Sequence, residues 1–110
     1  KGKSGDTFGP TGPYIVTKDE IADVNNLNLI LEVNGKKMQN GNTKNMIYNT
    51  NFLLSYLSKF MSLQPGDIVT TGTPAGVGMG MKPQVFLKSG DKIKLTIDNL
   101  GEQNSKVVTE

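Results

Sequence analysis

Eight residues, Thr71-Gly72-Thr73-Pro74-Ala75-Gly76-Val77-Gly78, limit what this chain can fold into more than any other stretch. Three glycines, two threonines and a proline neither extend a strand nor open a stable helix. The segment ahead of them, Gln64-Pro65-Gly66-Asp67-Ile68-Val69-Thr70, reads as a tight turn feeding a short strand. Pro65 pre-sets its own φ, Gly66 accepts a positive φ, and the three β-branched residues suit a half-buried pleated surface. The eight-residue stretch is therefore a loop at a strand end. Two uses fit it: a plain connection, or a site where backbone N–H groups and hydroxyls approach a ligand unobstructed. It is not a known nucleotide loop, because no Gly-Lys-Ser/Thr tripeptide occurs and Gly76-Val77-Gly78-Met79-Gly80-Met81 breaks the G-x-G-x-x-G spacing. A carboxylate is at least as good an anion for it as a phosphate.

The strand signals lie on both sides of this loop. Leu27, Leu29, Leu31 and Val33 recur at every second position and run into Asn34-Gly35, a strong hairpin signal. Lys36 to Gly41 is then the returning strand, polar and expected to be exposed on one face. Ile93, Leu95 and Ile97 alternate with Lys92, Lys94 and Thr96 in a second half-buried strand, and Leu100-Gly101 turns the chain towards a last strand over 105–108. Leu87 to Ile93 repeats the Leu-x-x-Gly-Asp chemistry of Leu63 to Val69, two uses of one turn type. Tyr14-Ile15-Val16 is a further short strand, entered from rigid Gly/Pro turns that look docked. Thr17 and Glu20 have the spacing of a capping box over one helical turn. One convincing helix, capped by Asn49 or Thr50, carries Phe52, Leu53, Tyr56, Leu57 and Phe60 at helical spacing, a stripe expected in the core, and ends near 60–63 before Pro65. The sum is five or six short strands and one helix: a mainly β (α+β) arrangement with a helix packed on it.

Composition narrows the function. In 110 residues, 12 basic and 10 acidic side chains are interspersed and aromatics make up 6%, which is too balanced for a nucleic-acid groove. Every basic residue is lysine, so no arginine fork clamps a carboxylate. There is no cysteine for thiol chemistry and no histidine for general base or metal work. No apolar run approaches a membrane span, no signal peptide is visible, and a cytoplasmic location is the default. The chain opens at Lys1-Gly2-Lys3 without an initiator methionine, which reads as a piece of something longer.

Taken together, the motifs resemble the fumarylacetoacetate hydrolase family. Residues Gly2 to Pro13 are similar to its G-K-S-x-D-T-F-x-P-x-G-P signature. Val33-Asn34-Gly35 with Gln39 and Asn42-Thr43 resembles its V-N-G…Q…N-T segment. Leu63 to Gly78 matches its L-x-P-G-D-x-I-x-T-G-T-P-x-G-V-G block, with Val69 at the usual Ile, and Phe86 to Asp91 with Leu100-Gly101 resembles its closing run. The resemblance spans the chain and covers the C-terminal half of the catalytic domain, so residues 1–110 read as a partial domain. It implies a mixed β-roll or sandwich-like core and a homodimer. It further implies a metal-dependent hydrolase, lyase or isomerase of aromatic catabolism, acting on 1,3-dicarbonyl or enol-keto acids such as acylpyruvate or 2-hydroxymuconate types.

The same resemblance suggests roles. Lys3 falls at the family's lysine, where an ammonium stabilises enolate charge. Gly72 and Thr73 fall on the loop that receives a substrate carboxylate, and Thr7 matches a position that supports the metal without binding it directly. Mg2+, Mn2+ or Ca2+ would be held by carboxylates of E-x-E and R-D-x-Q segments upstream. Neither segment occurs in this sequence, and Glu20, Glu32 and Asp67 stand in other contexts, so no metal ligand is assigned here. The expected partners are a small keto or enol acid and the missing N-terminal half of the domain, and this stretch alone is expected to be inactive. The alternative is a non-catalytic β-rich fragment or binding module without a metal site.

Overall fold

The computed structural model of the chain describes residues 5–109. Four strands form one antiparallel sheet: β1 (Asn28–Val33), β2 (Lys36–Asn42), β3 (Lys92–Ile97) and β4 (Gly101–Lys106), in the spatial order β2-β1-β3-β4. The Asn34-Gly35 turn joins β1 to β2, with both residues at positive φ (52° and 77°), the geometry this pair favours in a two-residue hairpin. Residues opposite one another in antiparallel strands share a face. Leu29 pairs with Ile97 and Gly41, Leu31 with Leu95 and Gln39, and Val33 with Ile93, so these side chains line one face. The opposite face carries Glu32, Lys94 and, on β4, Glu102, whose carboxylate meets the Lys94 ammonium at 2.7 Å in an exposed ion pair.

β2 is not regular. Leu31 pairs with Gln39 while Glu32 pairs with Lys37, so Met38 is an extra residue and the strand bulges there. The bulge ends the polar pattern of Lys36 and Lys37, and Gln39 next to it is 9% exposed. The returning strand is thus exposed on one face, as expected, with Gln39 buried on the other.

The long excursion between β2 and β3 holds the single α-helix among the described residues, α1 (Thr50–Leu57). Asn49 is its cap, its side-chain oxygen accepting from the Phe52 N–H at 2.9 Å. The helix ends at Leu57, short of the expected 60–63, and continues as turns to Met61, whose N–H reaches the Leu57 carbonyl. Its aromatic stripe is not core. Phe52 is 48% exposed, Tyr56 51% and Phe60 69%, because among the described residues the sheet strands pack extensively only on one another. Tyr48, Phe52, Tyr56 and Phe60 instead pack on one another four residues apart, with ring centroids 4.7, 6.1 and 5.0 Å apart, the first two pairs stacked and the last tilted. Leu53 and Leu57 are half-buried.

Two of the expected strands do not form. Residues 14–16 and 68–70 have no ladder partner among the described residues, and Ile15 and Ile68 are 93% and 73% exposed. β-branched composition supplies a preference, but a strand needs a neighbour to bond. The segment before the sheet is docked all the same: the Tyr14 hydroxyl lies over Gly101, and Gln103 Nε2 donates to the Gly12 carbonyl at 3.2 Å. The last strand begins at Gly101, not Ser105, because Asp98-Asn99-Leu100 makes a tight turn with Asn99 at φ 60°. Thr17 begins a three-residue 3-10 turn, Lys18–Glu20, in which its hydroxyl donates to Glu20 Oε1 at 3.2 Å without the reciprocal bonds of a capping box.

The repeated turn is one geometry used twice. At Gln64 to Asp67 the Asp67 N–H donates to the Gln64 carbonyl at 3.1 Å and Asp67 Oδ2 accepts from the Gln64 N–H at 2.8 Å. At Lys88 to Asp91 the matching distances are 3.0 and 2.8 Å. The first turn launches the Thr-Gly-Thr-Pro loop; the second launches β3. Among the described residues only Ile21 and Leu27 are buried apolar side chains, so the sheet's apolar face is covered thinly: by residues 12–16 at the β3–β4 side and by the loop at the β2–β1 side.

Candidate functional site

The Thr71–Gly78 loop lies across β2, and two glycines make that approach possible. A β-carbon at Gly76 would overlap the Met38 carbonyl oxygen, and Gly76 also sits at φ 111°. A β-carbon at Gly41 would come to 2.8 Å from Pro74 Cβ. The bulge that turns Met38 out of the ladder thus presents its carbonyl to the loop, and the strand's own glycine receives the loop's proline.

Gln39 fastens the loop. Its side-chain nitrogen donates to Thr73 Oγ1 at 2.8 Å and to the Pro74 carbonyl at 2.8 Å. Gln39 faces the loop because it shares the inner face with Leu31 and Leu95. In the sequence Gln39 stood out as the glutamine of the V-N-G…Q…N-T resemblance, but nothing there gave it a role. The bulge that places it has no sequence signature.

Between the loop, β2 and the start of α1 lies an open groove of about 640 Å³. Its walls include Leu29, Gly41, Tyr48 and Leu53, and its rim carries Thr71, Gly72 and Thr73. None of the lining residues is charged; the polar ones are asparagines, threonines and a tyrosine. Gly72 and Thr73 are exposed, and among the described residues neither backbone N–H donates to a protein acceptor. A β-carbon on Gly72 would meet no atom within 4 Å, so the approach to these donors is open. The groove therefore offers two N–H groups and a hydroxyl to an anionic group, with apolar walls for the rest of a small molecule.

The sequence-selected residues fall in three places. Gly72 and Thr73 are at the groove. Thr7 is exposed in the turn closed by the Phe8 N–H on the Gly5 carbonyl and is not among the lining residues. Lys3 lies outside the described residues. Among the described residues no three His, Cys, Asp or Glu side chains gather closely enough to hold a metal ion, so this donor set does not by itself fit a hard divalent cation. No helix of the described residues is long and apolar enough to cross a membrane.

Comparison with known proteins agrees with this architecture. A fumarylacetoacetate hydrolase from Exiguobacterium antarcticum superposes with a TM-score of 0.95 at 43% identity, covering 99% of this chain and 39% of its own. The maleylpyruvate hydrolase of Sphingobium sp. SYK-6, solved with manganese(II) and pyruvate, gives a TM-score of 0.85 at 40% identity over 94% of this chain and 36% of its own. A Burkholderia ambifaria protein is 59% identical over 104 residues, which are 94% of this chain and 37% of that protein. The chain thus spans little more than a third of the length of the curated relatives it matches, and its fold is a partial domain. The pattern described as Fumarylacetoacetate (FAA) hydrolase C-terminal matches residues 1–108, and the chain belongs to the fumarylacetoacetate hydrolase family.

Proposed function

We propose that this chain is the C-terminal segment of the catalytic domain of a hydrolase, lyase or isomerase acting on small 1,3-dicarbonyl or enol-keto acids, and that Gly72 and Thr73 receive the substrate's carboxylate. The observation that carries the reading is the exposed Thr73 hydroxyl, held from behind by a buried amide, beside two backbone N–H groups that meet no acceptor among the described residues. Solved relatives named maleylpyruvate hydrolase and 2-hydroxyhepta-2,4-diene-1,7-dioate isomerase support the substrate class.

In this reading the carboxylate anchors the substrate while charge develops at the far carbonyl. In a hydrolysis, water adds to one carbonyl, the C–C bond breaks, and its electron pair leaves on the other fragment as an enolate that is then protonated. An acylpyruvate and water give a carboxylic acid and pyruvate. In an isomerisation, a proton leaves one carbon and enters another across the same enolate. Lys3, by its position in the resemblance, is assigned the ammonium that stabilises this charge. Thr7 supports the metal site from outside the ligand set. The cation itself, Mg2+, Mn2+ or Ca2+, belongs to carboxylates beyond this stretch; manganese in the Sphingobium structure supports a divalent ion. A cytoplasmic homodimer completes the proposal.

The test is a coupled assay of the full-length protein with an acylpyruvate and Mn2+, reading pyruvate release, beside a dienedioate assay reading loss of the conjugated chromophore. Turnover of either supports the reading. Activity towards neither, in a folded protein loaded with metal, refutes it in favour of a non-catalytic binding module.

A further inference from the structure

We propose that Gln39 is a positioning residue that sets the direction of the Thr73 hydroxyl proton and so makes Thr73 a hydrogen-bond donor to the substrate's carboxylate. The inference rests on the reading of Thr73 just given and adds a residue to it.

The Pro74 carbonyl fixes which way the Gln39 amide is turned. A carbonyl oxygen only accepts, so the end of the Gln39 side chain 2.8 Å away is the nitrogen, not the oxygen. The same nitrogen lies 2.8 Å from Thr73 Oγ1. Its two protons are then both used: one goes to Pro74, the other to Thr73. A hydroxyl has one proton and two lone pairs, and here one lone pair accepts from Gln39. The Thr73 proton must point away from that bond. The protein acceptor near it is the Pro74 carbonyl at 3.4 Å, longer than the about 2.5–3.0 Å usual for an O–H···O bond and so a weak competitor. The other direction is the groove, where Thr73 is exposed.

The site is built to keep this arrangement. Gln39 is nine-tenths buried, so water does not compete for its amide. Its strand position is fixed by the pairing with Leu31 on one side of the Met38 bulge. The loop is seated on that bulge through Gly76 and on Gly41 through Pro74, which leaves the Gln39–Thr73 distance little room to vary. A donor aimed before the ligand arrives costs no reorganisation on binding. A threonine free to rotate would present a lone pair to the carboxylate part of the time.

The experiment uses the full-length protein, with pyruvate as the probe in calorimetric titrations at saturating Mn2+. Four variants are compared with the wild type: Thr73→Val, Gln39→Met, the two combined, and Gln39→Glu. Thr73→Val should weaken pyruvate about tenfold or more. Gln39→Met should weaken it severalfold in the wild-type background and less than about twofold when Thr73→Val is already present, since it acts through that hydroxyl. Gln39→Glu is the isosteric variant if Gln39→Met folds poorly. Its ionised carboxylate accepts the Thr73 proton and turns it from the groove; its acid form has one O–H, enough for one of the amide's two acceptors. The loss relative to wild type should therefore grow as pH rises through that carboxyl's titration. Ionisation also ends the bond to the Pro74 carbonyl, so loop anchoring is told apart by the Thr73→Val background, where a loss through anchoring persists and a loss through the hydroxyl does not. Three results overturn the proposal. An undiminished Gln39→Met loss in the Thr73→Val background, or a pH-independent Gln39→Glu loss, removes Gln39 alone and leaves the carboxylate site standing. Unchanged pyruvate affinity in Thr73→Val removes both.

Discussion

Gly76 and Met38 meet backbone to backbone: a β-carbon on Gly76 would overlap the Met38 carbonyl oxygen. The contact ties the Thr-Gly-Thr-Pro loop to the one bulged residue of β2. Nothing flexible lies at this point to move aside.

Gly76→Ala should therefore displace the loop. The left-handed φ alone costs an alanine about 1–2 kcal/mol, and overlap with main chain adds about 1–3 kcal/mol more. Gly66→Ala is the control, since Gly66 has φ 96° but a β-carbon there would meet no atom within 4 Å. Denaturant unfolding of the full-length variants should rank Gly76→Ala well below Gly66→Ala, and only Gly76→Ala should weaken pyruvate. Equal stabilities would mean that the loop is not seated on β2.

Asp91 joins the second turn to the hairpin. Its Oδ1 accepts from Asn34 Nδ2 at 2.9 Å and its Oδ2 from the Lys88 N–H at 2.8 Å, while the Lys92 N–H donates to Asn34 Oδ1. The Asn34 amide first, and the Lys88 N–H second, hold the Asp91 carboxyl below its ordinary value. A depressed folded pKa means stabilisation that is fully present above the unfolded carboxyl's pKa, about 3.9. It is lost as pH falls from there through the lower folded value. Melting temperature against pH should thus fall less steeply between about pH 4 and 2 in Asp91→Asn than in the wild type. Parallel curves would show that these two bonds do not favour the ionised form.

What could be read from the sequence follows from where its signals are local. Asn34-Gly35 and the two Leu-x-x-Gly-Asp turns carry their geometry in a few adjacent residues, and each folds as its chemistry dictates. The alternation through Leu29, Leu31 and Val33 fixes a face, and the pairing with Ile97, Leu95 and Ile93 uses it. Ile68, Val69 and Thr70 carry an equally good strand composition but find no neighbour among the described residues, and a ladder is not a local property. The stripe on α1 has the right period for a core, yet periodicity says that a face is apolar, not what covers it. Gly72 and Thr73 were legible as a loop with open donors. Gln39 was legible as a motif position but its role was not, because that role depends on a bulge one residue away and on a loop 34 positions along the chain.

Lys3 and Lys1 give an internal comparison in the full-length protein. Both are lysines two positions apart, and the G-K-S resemblance takes in Lys3 and not Lys1. Lys3→Met keeps most of the side chain's bulk and removes its charge. It should lower kcat by at least tenfold, about 1.4 kcal/mol of barrier, with the Mn2+ affinity changed far less. Lys1→Met should leave both unchanged. A loss of kcat under tenfold for Lys3→Met would take Lys3 out of the enolate role.

Thr71 and Thr73 both border the groove and both are exposed, but only Thr73 has its hydroxyl bonded to Gln39. Valine keeps the β-branched shape and deletes the hydroxyl. Thr73 also precedes a proline, which holds its backbone extended in either variant. One hydrogen bond to a charged group is worth roughly 1.5–3 kcal/mol, so Thr73→Val should lower kcat/KM on the order of ten- to a hundredfold, with Thr71→Val milder. Thr73→Val also leaves one proton of a buried amide without its acceptor, which costs about 1–3 kcal/mol of stability. Activity and stability would then fall together, and Thr73→Ser separates them. Serine restores the hydroxyl, so it should recover most of the melting temperature and most of kcat/KM. Equal and small effects of Thr71→Val and Thr73→Val on kcat/KM would return the loop to a plain connection and remove Thr73 from the site.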